Sequence, residues 1–411
     1  MKYSLLAVLL LLITQCLCAN FFNQGLICRQ HWAEGWSSIE SEKQNYAPDR
    51  FVDILHFELD VTPDFKKRTI AGTAAFTFLP ISKELLEFRL DAADLDITKV
   101  GGSVLVDSWE NTDKALIVRF SKPVSPNRPV QLRVTYSCEP QQGLYFRTPE
   151  MGYDPGDTHL WTQGETTYSR YWYPCFDAPN EFITSTITCR VPKEMVVLSN
   201  GRKDNEKIDQ EAGLKAVTWK QEKPHVTYLI TLVAGYFQAI EDQYGELPVS
   251  FWTTPSDFPY AQNSYRETKQ ILQFFEEEIG IQYPWAKYDQ VCVHDFMWGG
   301  MENTTMTTLN NRTLFPDETE NIRTSQNLNA HEIAHQWFGN LVTMKDWSHT
   351  WLNEGFATYY THLFRGHKDG RDEMLYSLYS DYKNLTNRKD DNVPIVNRYY
   401  NEPIDMCIKY G

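Results

Sequence analysis

The chain has 411 residues, 42% of them hydrophobic and 14% aromatic, and a net charge of −15. That length suits two or three domains, each able to bury a sizeable core. The acidic balance argues against nucleic-acid binding, which wants a basic face; it is compatible with substrates bearing a free amine, although solubility alone accounts for a global charge of this size.

Residues 1–18 read as a secretory signal. Lys2 supplies the positive start, Leu5 to Ile13 is an apolar run too short to span a bilayer comfortably, and Cys16 and Cys18 are small residues suited to the approach of a cleavage point. A lipid anchor on Cys16 is disfavoured by the polar, bulky Gln15 before it. The mature chain is therefore expected to be secreted or periplasmic, with no transmembrane segment, since no later run reaches 18 apolar residues.

Residues 19–45 look irregular and polar. From 46 to 244 apolar and polar residues alternate: Phe57, Leu59 and Val61; Ala74, Phe76 and Phe78; Leu86, Phe88 and Leu90; Leu132, Val134 and Tyr136. Such alternation marks half-buried strands of an antiparallel sheet. Gly101-Gly102 and Asp154-Pro155-Gly156 punctuate them. The run from Tyr228 to Ala234 reads as a fully buried strand. The pattern then changes over 245–411. Phe251-Trp252 closes a last strand, and Thr268, Ile271, Leu272, Phe275 and Ile279 recur at helical spacing up to Gly280. Further helices are expected over Ser325–Phe338, with Ser325 as N-cap and Gly339 as stop, over Glu354–Phe364 ending at Gly366, and around Met374, Leu375 and Leu378. The fold class expected is α+β and multidomain, a β-sheet domain followed by a mainly α domain.

Beyond the leader lie six cysteines: Cys28, Cys138, Cys175, Cys189, Cys292 and Cys407. In an oxidising compartment some would pair, and Cys175 with Cys189, the nearest in sequence, is the best single guess; buried free thiols are the alternative.

The chemistry concentrates in His331-Glu332-Ile333-Ala334-His335. Positions i and i+4 project from one face of a helix, so His331 and His335 can share one metal ion. Glu332 can take a proton from the attacking water. Glu354, from a second helix, would be the third ligand; two imidazoles and a carboxylate leave a fourth position open, which is how a catalytic zinc is held. HExxH alone can arise by chance in a surface helix. Here it follows Gly299-Gly300-Met301-Glu302-Asn303 and precedes Trp351-Leu352-Asn353-Glu354-Gly355-Phe356-Ala357.

Together these segments resemble the M1 family of gluzincin aminopeptidases, marked by GxMEN and by HExxH followed by Glu after eighteen intervening residues. Gly300 stands where many members have alanine, a variant shared with the leukotriene-hydrolase and aminopeptidase-B branch. The resemblance implies a thermolysin-like catalytic domain, one zinc ion, and peptide substrates with a free N-terminal amine. It implies that Glu302 binds that amine while the backbone of Gly299, Gly300, Met301 and Asn303 lines the substrate edge. Trp161-Thr162-Gln163-Gly164-Glu165, continuing to Asp177, resembles the family's second amine-anchoring segment, with Gln163 the anchor and Glu165 a weaker one. Arg170 and Asp177 read as an internal ion pair. His349 would crowd the metal and reads as surface or supporting; Thr358 is a weak candidate to orient Glu354. Of the sequons at Asn303, Asn311 and Asn384, the first falls in the amine-binding motif and should be inaccessible.

The family's oxyanion tyrosine lies in a Tyr-x-Lys-Gly stretch that these 411 residues do not contain. Losing one such donor typically costs about a hundred- to a thousand-fold in turnover. The catalytic domain is therefore expected to be truncated. The function expected is zinc-dependent aminopeptidase, with a non-catalytic zinc- or peptide-binding fragment as the alternative; epoxide hydrolysis and endoproteolysis are the remaining readings. Oligomeric state is not legible.

Overall fold

The computed structural model describes residues 43–319, 324–387 and 394–410. The leader, residues 19–42 and Cys28 lie outside them. Among the described residues no helix is long and apolar enough to cross a membrane.

The first half is built on a seven-stranded sheet in the order Arg202–Asp209, Leu214–Val226, Phe182–Pro192, Val52–Asp64, Thr69–Pro80, Val130–Cys138, Asp96–Gly102. Period-two patterning puts Ile54, Phe57, Leu59 and Val61 on one face, each at most 2% exposed. One pairing departs from the antiparallel expectation: Val52–Asp64 runs parallel to Phe182–Pro192, with His56 opposite Thr184. Parallel neighbours need a long connection, and the three-stranded and four-stranded sheets drawn partly from the intervening chain supply it. The Tyr228–Ala234 run is not one strand. Thr227–Leu229 forms a 3-10 turn and pairing resumes at Leu232–Gly235. Asn200 explains the break, because its side chain donates to the Leu229 carbonyl and accepts from the Thr231 amide, taking backbone groups a ladder would use.

The second half carries a five-stranded sheet, Gln238–Tyr244, Leu247–Thr253, Tyr288–Val293, Met306–Asn310, Gly300–Met301, with the last as its edge. Against it pack the short α1 (Ala261–Tyr265), α2 (Thr268–Ile279) and α3 (Gln326–Ala334); α4 (Trp351–Asp369) lies on α2 and α3, α5 (Arg371–Thr386) packs on α4, and α6 (Ile404–Tyr410) lies nearer the first half. Gly280 stops α2 in the left-handed conformation, φ 76°. Phe275 of α2 stacks edge-on against Trp337 and Phe364, joining α2, the end of the HExxH segment and α4 in one core.

Three helix boundaries differ from expectation. α3 ends at Ala334 rather than Phe338, because Gln336 and Asn340 turn their amides onto the neighbouring Glu302 carbonyl. Ser325 makes no side-chain cap. α4 starts at Trp351 and runs through Gly366. A Cβ at Gly366 would lie 3.1 Å from the Met374 side chain, so glycine there admits α5 against α4 instead of ending the helix. The expected Cys175–Cys189 disulfide is absent. Both are buried free thiols, Cys175 paired through its backbone with Asp91 and Cys189 in the large sheet between Val61 and Val217.

Candidate metal and peptide site

The site lies where the end of α3, the start of α4 and the Gly300–Met301 edge strand meet the Trp161–Asp177 segment. His331 and His335 sit one turn apart, and their Nε2 atoms converge to 3.0 Å. The Nδ1–H of His335 is placed to donate to the Phe338 carbonyl at 2.9 Å, which leaves Nε2 free to ligate. Glu354 enters from α4, with Oε2 at 3.2 Å from His331 Nε2 and Oε1 at 3.7 Å from His335 Nε2. One ligand atom from each residue falls within 4.8 Å of the others. Burial alone would raise the Glu354 carboxyl, but His335 and His331 hold it below the usual range. Two imidazoles and one carboxylate converging with their lone pairs inward are the donor set of a catalytic zinc centre, so the residues present fit that ion.

Glu332 sits behind this triad, 4% exposed, with Oε2 finding no partner among the described residues. Burial first, then the charges of Glu302, Glu354 and Glu165, push it well above the ordinary carboxylate range. A Cβ on Gly300 would stand 2.3 Å from Glu332 Oε1, so a glycine there leaves room for this carboxylate.

Gly300 and Met301 pair with Leu309 and Thr308 on one side, and among the described residues no strand pairs with their other edge. At its end stands Glu302, 3% exposed, whose Oε1 lacks a hydrogen-bond partner among the described residues. Burial and then the charge of Glu354 push its carboxyl up. Its backbone carbonyl is gripped by Gln336 and Asn340, at 3.1 and 2.7 Å. Gln163 reaches the same place from the β-sheet half, donating to Met301 Sδ at 3.2 Å, with Oε1 unpartnered. Glu165 joins Glu302 and Glu354 in a second group of carboxylate oxygens within 4.8 Å of one another.

Asn303 does not face substrate with its side chain. It is fully buried, its amide donating to Thr308 Oγ1 at 3.1 Å, so it shapes the turn and its sequon is inaccessible. Gly299 supplies a carbonyl to the Asn310 amide. His349 stands away from the metal triad, 3.3 Å from Arg398. Thr358 makes no hydrogen bond to Glu354, which the two histidines orient instead. Arg170 and Asp177 form the expected pair at 2.8 Å. Gln336, Asn340 and Cys407 were not found from sequence. The first two lie after HExxH on no recognisable period, and the Cys407 thiol reaches Glu165 Oε1, at 3.6 Å, only through tertiary folding.

Residues 263–405 match the Peptidase family M1 domain, and residues 53–229 the Peptidase M1 N-terminal domain. The chain is 30% identical to the alanine/arginine aminopeptidase of Saccharomyces cerevisiae over 321 residues, 75% of this chain and 37% of that protein. It is 31% identical over 325 residues to the mitochondrial aminopeptidase 2 of the same yeast, 76% of this chain and 34% of that protein. The chain thus spans little more than a third of these relatives' length. Among solved structures, an M1 zinc metallopeptidase variant from Deinococcus radiodurans bound to a Tyr-Ser-Ala substrate superposes with a TM-score of 0.71 at 23% identity, covering 90% of this chain and 83% of that one.

Proposed function

The chain belongs to peptidase family M1, and from that premise we propose that it is a zinc-dependent aminopeptidase, removing the first residue of peptides with a free N-terminal amine. The observation that carries the reading is the buried Glu302 carboxylate, whose Oε1 has no hydrogen-bond partner among the described residues and only His335 Nδ1, at 3.9 Å, as a basic neighbour, at the end of a strand edge beside the His331–His335–Glu354 triad.

A zinc ion held by His331, His335 and Glu354 would polarise the scissile carbonyl and acidify a water. The chain's own groups do the rest. The open edge of Gly300–Met301 can pair with the substrate backbone as an added strand. Glu302, with Gln163 and Glu165, receives the ammonium; a buried carboxylate without a partner favours a cation and penalises a blocked terminus. This limits cleavage to the first residue. Glu332 takes the water's proton and returns it to the leaving amine, and its desolvated setting makes it a stronger base. The apolar run from Leu5 to Ile13 supports export as part of this reading.

Glu302→Ala tests the assignment. With an aminoacyl-arylamide substrate, KM is expected to rise and discrimination against N-acetylated substrates to fall, while zinc content stays at that of the unmodified chain. Equal loss of zinc would refute the role given to Glu302. Zinc without turnover in the unmodified chain would favour a peptide-binding role.

A further inference from the structure

With no hydrogen bond to its Oε1 among the described residues, the Glu302 side chain is aimed by the backbone that carries it. That backbone is fastened to the β-sheet half on both sides of Glu302. Upstream, the His294 carbonyl accepts from Arg147 Nε at 3.2 Å and from Trp161 Nε1 at 3.1 Å. Downstream and much closer in sequence, the Thr304 carbonyl accepts from Asn200 Nδ2 at 2.7 Å, and Thr305 Oγ1 accepts from the Gly201 amide at 2.8 Å. Asn200 and Thr305 are buried, so water cannot stand in for either bond. The local chain does not favour this turn by itself. Thr305 has φ 69°, a left-handed conformation that costs a β-branched residue energy and persists only where its surroundings impose it. Its amide donates to Gln336 Oε1 at 3.1 Å, and its carbonyl accepts from the Asp289 amide at 2.9 Å. Asn200 is fully committed in the same way. Its Nδ2 also donates to the Leu229 carbonyl, and its Oδ1 accepts from the Thr231 amide.

We propose that Asn200 and Thr305 are positioning residues for amine recognition: their hydrogen bonds across the joint between the two halves fix the turn after Glu302 and so aim its carboxyl at the substrate's ammonium. This rests on Glu302 as the partner of that ammonium, as proposed above. Neither residue touches substrate; each acts through the backbone of Glu302. A hydrogen bond to a charged group is directional, so a turn that relaxes by a fraction of an ångström weakens it. The metal triad sits on α3 and α4, outside this turn, and keeps its geometry when the turn relaxes. The consequence is that selection of a free N-terminus belongs to the joint between the halves and not to the helical half alone.

The test is calorimetric titration of the full, zinc-loaded chain with L-leucinamide, which carries a free ammonium, and with N-acetyl-L-leucinamide, which does not. Thr305→Val keeps the shape and removes the acceptor for the Gly201 amide; Thr305→Ser keeps the hydroxyl. Asn200→Asp keeps the shape and removes both donors. In Thr305→Val and Asn200→Asp the preference for leucinamide over its acetylated form is expected to fall about tenfold, the order set by misaligning one hydrogen bond to a charged group. Thr305→Ser is expected to restore it, and zinc content to stay at one per chain in all three. Should Asn200→Asp misfold, since Asn200 also holds Leu229 and Thr231, the Thr305→Val and Thr305→Ser pair decides alone. An unchanged preference in Thr305→Val overturns the positioning role and leaves the aminopeptidase reading intact. Equal weakening of both amides, or loss of zinc, marks a general structural role and overturns it too. An unmodified chain that does not prefer leucinamide overturns the role given to Glu302 and this inference with it.

Discussion

Glu332 and Glu354 are both carboxylates in one pocket, yet the structure gives them opposite surroundings. Glu354 faces two imidazoles that stabilise its charge; Glu332 faces other carboxylates and no cation. Glu332→Gln keeps the shape and removes the proposed base. Turnover on an aminoacyl-arylamide is expected to fall by about a hundred- to ten-thousand-fold, with zinc content by metal analysis unchanged. A parallel loss of zinc would mean that Glu332 belongs to the ligand set. The HExxH spacing and the distant glutamate make these groups legible in sequence, because helical period fixes which side chains share a face. The position of Glu165 was only weakly legible. Two residues past Gln163 on an irregular segment, no period says where its carboxylate points.

At the level of elements, the first turn of α4 is the sensitive part. Asn353, adjacent to Glu354, is 1% exposed. It donates to Tyr228 Oη at 3.0 Å and accepts from the Met344 amide at 3.3 Å, tying the metal helix to a turn of the β-sheet half. Asn353→Ala leaves those groups unsatisfied and is expected to cost about 1–3 kcal/mol in thermal or urea unfolding. Zinc release to a colorimetric chelator should also quicken, since Glu354 shares that turn. Tyr228→Phe removes only one partner and should be milder. A wild-type release rate in Asn353→Ala would show that Glu354 is placed by α4 packing alone. The end of α3 makes a related point. Local propensity carries the helix to Phe338, but Gln336 and Asn340 are drawn onto the Glu302 carbonyl, and the helix yields to the site.

For the whole molecule, two buried histidines set the acid side of stability. His159 and His225 are each 0% exposed, and burial pushes both down to about 3. Their folded values lie below the unfolded 6.5, so the unfolded chain binds more protons between the two. Stability is then fully present above pH 6.5 and is lost as pH falls toward 3, at up to about 1.4 kcal/mol per pH unit for each histidine. His225→Gln should flatten the urea-unfolding free energy against pH over 6.5 to 5 by up to that one slope; an unchanged slope would mean that His225 is protonated in the native state. The sequence by itself determined the order of a sheet-rich half and a helical half, the HExxH helix with its third carboxylate, and the Gly299–Asn303 segment beside it, because periodicity and short motif spacing are local properties of the chain. Only the tertiary structure decided that one central pair of strands is parallel, that Cys175 and Cys189 stay apart, that Asn303 turns inward, and that Glu165 closes on Glu302 and Glu354. Those outcomes depend on which segments distant in sequence are packed together, and burial, not spacing, selects them.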